Sequence, residues 1–234
     1  MKKIQILSWR ITFPVIALAI ILLISCKSAY VVSDFESKTA THKTIAILPF
    51  EMIFTGVKPE KLSDDDLIEI GEAESKAFMI SFYNELLAST KGGKKPIRVD
   101  IQHFDRTLSI LKGHKMNMHD AWTEDPVVLA EVLGVDAVVK GRIQKNRLRS
   151  DLASYGIDLG MRILNVLTDY SVLFWLPSDL SKSNEVKTSY SLVHTDGSVI
   201  WSIAFDEDAD WSKPANEIID ELNRKAAKQF PYRK

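Results

Sequence analysis

Residues 125 to 143 read DPVVLAEVLGVDAVVKGRI, and this stretch decides the fold. Asp125 supplies a side-chain acceptor where a helix begins, and Pro126 suits the first helical position, whose N–H would have no partner in any case. Gly134 ends the helix, because a residue without Cβ adopts the left-handed conformation that closes one. The apolar run VDAVVKGRI follows at once. A helix joined by one glycine to a buried strand is half of a right-handed crossover unit, which implies parallel pairing with the strand before it.

Working outward toward the amino end, Ile97, Val99 and Ile101 alternate with polar residues as that preceding strand would, after the turn chemistry of KGGKKP at 91–96. Leu108 and Leu111 suggest a short helix before Gly113. KTIAILPF at 43–50 is a short apolar run closed by Pro49, which reads as a strand buried on both faces. Ser63 followed by three aspartates is an acid-rich helix start, and Phe78, Phe82 and Leu86 recur at four-residue spacing, so a helix is predicted over about 64–89. Three adjacent carboxylates on a helix do not converge on a metal, and a solvated helix start explains them better.

Toward the carboxyl end, EVKTSYSLVHTDGSVIWSIAFDED at 185–208 alternates around Asp196-Gly197 and reads as a β-hairpin with Trp201 and Phe205 turned inward. Asp206, Glu207, Asp208 and Asp210 at its end read as a solvated acidic loop. A final amphipathic helix, capped near Ser212, carries Ala215, Ile218, Ile219, Leu222 and Ala226 on one face. Phe230 is expected to anchor its end, with Tyr232, Arg233 and Lys234 frayed. The sum is an α/β fold: a single three-layer domain with a mixed, mostly parallel sheet, flanking helices and a β-hairpin in the carboxyl-terminal half.

The totals bound what such a domain can do. The chain has 234 residues, of which 46% are hydrophobic, enough for one substantial core. Thirty basic residues stand against 31 acidic ones, with no block of five or six like charges, so the footprint of a nucleic-acid binder is missing. The first 25 residues hold Lys2, Lys3 and Arg10 and no acid; the remainder carries 27 basic against 31 acidic groups, a net of −4. With one cysteine, neither an internal disulfide nor a thiolate zinc site can form.

That cysteine, Cys26, closes a basic start and an apolar run at 11–24 with Ser25 just before it. This is the order of a secretory signal; the run of about 14 residues, broken by Pro14, is short of the ~20 that a spanning helix needs. Leu23-Ile24-Ser25-Cys26 resembles the bacterial lipobox. The resemblance implies that residues 1–25 are a cleaved lipoprotein signal peptide and that Cys26 is joined through sulfur to a diacylglycerol, its new amino terminus being acylated. Membrane lipid is then a partner of the chain, bound through Cys26. A plain signal anchor with an incidental cysteine is the alternative. Lys27 and Ser28 follow the cysteine in place of the aspartate that retains some lipoproteins at the inner membrane, so the expectation is an outer-membrane anchor facing the periplasm, with inner membrane and cell surface as alternatives. Residues 26–42, polar and without period after the cysteine, read as a lipidated tether.

TIAILPF, RTLSILKGH, LAEVLGVDAVVKGRI and DGSVIWS occur in an order that resembles the α/β domain of the curli-export lipoprotein (CsgG-like) superfamily, akin also to the amino-terminal domain of TolB. The resemblance covers most of residues 43–234 and implies one domain there. It also implies an envelope lipoprotein that assembles, scaffolds or activates other envelope machinery, some members forming oligomeric rings or pores, with an envelope protein or further copies of itself as partner.

One segment departs from a plain domain. LASYGIDLGMRILNVLTDYSVLFWLP at 152–177 is strongly apolar but interrupted by Asp158, Arg162 and Asp169, each costly at the centre of a bilayer, so it is not read as a spanning helix. It reads as a core helix with a buried loop or as a surface, around Phe174 and Trp175, for a partner or the membrane interface. For chemistry, the one concentration of ligand-type residues is His103, Asp105, His114, His119 and Asp120. His114 and His119 are five apart, unlike the i, i+4 pair of helical zinc sites, and KMNM between them reads as loop. No nucleophile elbow, phosphate loop or dinucleotide fingerprint occurs. The expectation is therefore no catalytic residue, no metal site and no cofactor. The alternative is a periplasmic metal-dependent hydrolase using the His103–Asp120 loop.

Overall fold

The computed structural model describes residues 29–55, 63–88, 96–145, 185–208 and 215–233. Its strands are β1 (Tyr30–Val31), β2 (Thr44–Ile47), β3 (Glu51–Phe54), β4 (Asp100–Ile101), β5 (Ala137–Lys145), β6 (Glu185–His194) and β7 (Val199–Asp208). Its helices are α1 (Phe35–Lys38), α2 (Asp64–Ala88), α3 (Phe104–Gly113), α4 (Met118–Thr123), α5 (Pro126–Leu133) and α6 (Ala215–Lys228).

The α5–β5 unit forms as its residues dictate. Asp125 Oδ1 accepts from the Val127 N–H at 2.8 Å, Pro126 takes the first helical position, and Gly134 closes the helix at φ 66°. β5 then enters the sheet, whose order is β1-β7-β6-β5-β2-β4, with β3 also paired to β5. β5 runs parallel to β2 and not, as the sequence suggested, to the strand immediately before it; β4 pairs with the other side of β2. Both β2 neighbours are parallel, while β5–β6, β6–β7 and β7–β1 are antiparallel. The sheet is mixed, with helices on both faces. α2 and α6 cover one face over a core that includes Phe50, Phe78, Phe82, Tyr190 and Trp201. α3, α4 and α5 cover part of the other over Ala46, Leu48, Leu129, Val138 and Val193.

The apolar run at 43–50 forms β2 and ends at Pro49 as read, and the chain re-enters the sheet directly after it as β3. Ile47 faces Val139 and Glu51 faces Arg142, so four steps along β2 and β3 match three along β5. The extra residue falls at Leu48–Phe50, where Pro49 has no N–H for the ladder. The Phe50 side chain turns into the core and lies over Gly141, so close that a Cβ at 141 would overlap its ring. Phe50 then packs against Phe78 and Tyr190, with ring centroids at 5.9 and 5.5 Å.

Two expectations are corrected. Residues 30–42, read as tether, belong to the fold: β1 pairs with β7, Tyr30 opposite Ser202, and Phe35 of α1 is buried. The apolar surface of Phe35 is what outweighs the polar character of its neighbours. The carboxyl end is held in the fold through Arg233, and Lys234 lies outside the described residues. Tyr232 is fully buried, its carbonyl accepts from the Arg98 N–H at 3.0 Å, and Arg233 bridges to Ile97. Phe230 anchors α6 as expected, edge-on to Trp201 at 5.3 Å.

Candidate functional site

The ligand-type residues of 103–120 are used by the backbone. His103 caps α3, its Nδ1 accepting from the Asp105 N–H at 3.3 Å; His114 sits at the other end of the same helix. The segment expected as loop contains the start of α4, where Asn117 and Asp120 form a reciprocal capping box at 2.8 and 2.9 Å. His119 lies in that helix against Trp122. Side chains committed to helix ends point along their own backbones and not toward one centre. Among the described residues, no group of three or more His, Cys, Asp or Glu side chains is placed to hold a metal ion. Asp206 pairs with Lys187 across the hairpin at 3.7 Å and is part of β7, not a loop.

Sequence reasoning missed a cluster that joins both ends of the domain at the amino ends of the parallel strands. His42, just before β2, hydrogen-bonds through Nδ1 to the Tyr232 hydroxyl and stacks on His194 at 4.9 Å. His194 Nδ1 accepts from the Asp196 N–H at 3.0 Å. Asp136 Oδ2 accepts from the backbone N–H groups of Lys43 and Thr44 at 2.7 and 2.9 Å, tying the α5–β5 connection to the start of β2. Arg98 lies over the rings of Phe35 and Tyr232, at 5.4 and 5.3 Å, and bonds Glu36 and Thr39.

Burial holds the Tyr232 phenol well above its ordinary range, so it stays protonated and available to His42. Burial, and then the neighbouring His194, hold His42 below its usual value. Burial opposes ionisation of Asp136, but the two backbone donors outweigh it and keep its carboxyl low. An imidazole, a phenol and a carboxylate are the parts from which acid–base sites are built, yet each is spent here on a backbone or ring contact, and Tyr232 is sealed from solvent. The arrangement fastens chain ends together. Its signal in the sequence is only the aromatic character of FPYRK, which gives no distance to His42.

A cavity of about 240 Å³ lies on the sheet face that α3, α4 and α5 leave open, over Arg142, Gln144, Lys187, Ser189, Ala204 and Asp206. Small-molecule pockets run from about 300 Å³ upward; this one is smaller, with Phe205 and Thr188 also in its lining. β5 ends at Lys145 and β6 begins at Glu185 beside it, so residues 146–184 connect the strands at this end. Phe174 and Trp175 lie in that connection, outside the described residues, as does Cys26. Among the described residues, no helix is long and apolar enough to cross a membrane.

The elements and core define a three-layer α/β domain with a mixed seven-stranded sheet. No protein-family model matches the sequence, and no curated protein matches it. Among solved structures the chain is similar to lipoprotein GNA1162 from Neisseria meningitidis, with 14% identity over 80% of this chain and 96% of that one and a TM-score of 0.41. It is also similar to the PelC dodecamer from Paraburkholderia phytofirmans, at 10% identity over 81% and 89% of the two chains with a TM-score of 0.38. The LpoB C-terminal domain from Salmonella enterica matches at 8% identity over 75% and 93%, with a TM-score of 0.34.

Proposed function

We propose that the chain is a lipid-anchored protein of the bacterial envelope, tethered through acylated Cys26, whose α/β domain works as a non-enzymatic assembly, scaffold or accessory factor. The observation that carries the reading is the order of Leu23-Ile24-Ser25-Cys26 after a basic start and an apolar run too short to span a bilayer. Two or three acyl chains, each methylene contributing about 0.8 kcal/mol, hold a folded domain on a membrane durably. Lys27 and Ser28 after the cysteine support the outer membrane, periplasmic side, as the place. The resemblance to the CsgG-like superfamily belongs to the same proposal, as does an envelope partner or a second copy docking at Phe174 and Trp175. The absence of any signature for nucleophile, phosphate or dinucleotide in the sequence supports a role without catalysis.

Replacing Cys26 with Ala, or treating cells with the signal-peptidase inhibitor globomycin, is expected to block processing and leave residues 1–25 on the chain, and protein made without residues 1–26 should no longer float with membranes. Unchanged processing and flotation would reject the anchor. Recovery of an envelope partner by the soluble domain should fall when Phe174 and Trp175 are both changed to Ala; unchanged recovery would reject that surface. No observation favours the metal-dependent hydrolase, since His103, Asp120 and their neighbours are engaged in helix caps.

A further inference from the structure

The domain reaches to within three residues of Cys26. The Ala29 N–H donates to Gln229 Oε1 at 3.3 Å, and Tyr30 and Val31 are in the sheet. Only Lys27 and Ser28 separate Ala29 from Cys26. Three Cα steps span at most about 11 Å. The headgroup layer on one side of a bilayer is about 5–7 Å deep. A domain held at Cys26 therefore cannot stand off from the lipid, and the edge that carries Ala29 must be the one nearest it.

That edge has the character the position requires. β1 ends the sheet order, so among the described residues nothing pairs with its outer side. Tyr30 and Val31 are 54% and 45% exposed. Successive strand residues point to opposite faces, so the two side chains straddle the edge, as they would in a sheet standing edge-on at a surface. Tyrosine has an apolar ring and a polar tip and favours headgroup depth. Lys228, exposed at the end of α6 beside the Gln229 that holds Ala29, places a cation at the same end, where anionic lipid attracts it. We propose that the β1 edge of this domain, through Tyr30 and Val31, rests on the bilayer surface, so that the sheet stands on the membrane with its β3 and β4 side turned away; this rests on the acylation of Cys26. Ile68 on α2, 60% exposed, marks the far side: α2 packs on β3, four strand-to-strand steps from β1, or about 19 Å.

The test uses the full lipidated protein. Its single native cysteine is consumed by the thioether, so V31C and I68C each offer one thiol for an NBD fluorophore. Reconstituted in phosphatidylethanolamine–phosphatidylglycerol vesicles carrying a headgroup nitroxide lipid, NBD at position 31 is expected to lose most of its emission, and NBD at position 68 to keep it. Equal response at both positions, in protein that still floats with the vesicles, would overturn the edge-on placement while leaving the anchor standing. Protein that does not float would overturn both. NBD emission at 31 that depends on protein concentration and not on nitroxide would mean that a second copy covers the edge, and would overturn the proposal.

Discussion

Gly141 shows how much of this fold rests on single side chains. It sits mid-strand, where glycine ordinarily weakens a sheet, because the Phe50 ring occupies the space a Cβ would fill. Gly141→Ala is expected to lower stability by about 1–3 kcal/mol through overpacking, read as a fall in the urea midpoint with an unchanged slope; no fall would mean that Phe50 moves aside freely. His42 governs a pH dependence. Burial and His194 lower its folded-state value below the ordinary 6.5, so the unfolded chain binds that proton more readily. The stability this represents is therefore fully present above about pH 6.5 and is lost as pH falls through the lower folded value. His42→Gln should flatten the urea midpoint across that window, and a midpoint that still declines as steeply would assign the effect elsewhere. Neither role was legible in the sequence: a glycine in VVKGRI and a histidine in ATHKT carry no mark of a ring that arrives from elsewhere in the chain.

At the scale of elements, what the sequence showed was what local chemistry determines. Asp125, Pro126 and Gly134 set the bounds of α5 from within it, and the acid-rich start and apolar repeat of 64–89 became α2, Asp64–Ala88. Elements fixed by distant partners were read less well. β5 joined β2 and not β4, and residues 30–42 folded because β7 offered an edge and Phe35 a reason to bury. The carboxyl tail is the sharpest case, since Arg98, His42 and Phe35 hold Tyr232 from three other segments. Tyr232→Ala is expected to cost about 3–5 kcal/mol, as for other large buried aromatic truncations, measured by thermal and urea unfolding. A loss under about 0.5 kcal/mol, the level of ordinary surface substitutions, would mean that the tail frays after all.

At the scale of the molecule, the sheet, its two helical layers and the fastened carboxyl end form a body whose first described residue lies three positions after the cysteine. The site most legible in the sequence, Cys26, is proposed as a covalent attachment whose signal is wholly local, and Phe174 and Trp175 lie with it outside the described residues. The edge at Tyr30 and Val31 escaped the sequence because polar neighbours masked it and its pairing partner is about 170 residues away, at Trp201 and Ser202. Everything proposed for this chain depends on the chemistry at that sulfur. The most direct measurement is mass spectrometry of the amino-terminal peptide of the mature protein: the expected result is a peptide that begins at Cys26 and carries diacylglycerol on sulfur and an acyl group on its amino terminus. A peptide that begins elsewhere, or a Cys26 with a free thiol, would contradict it.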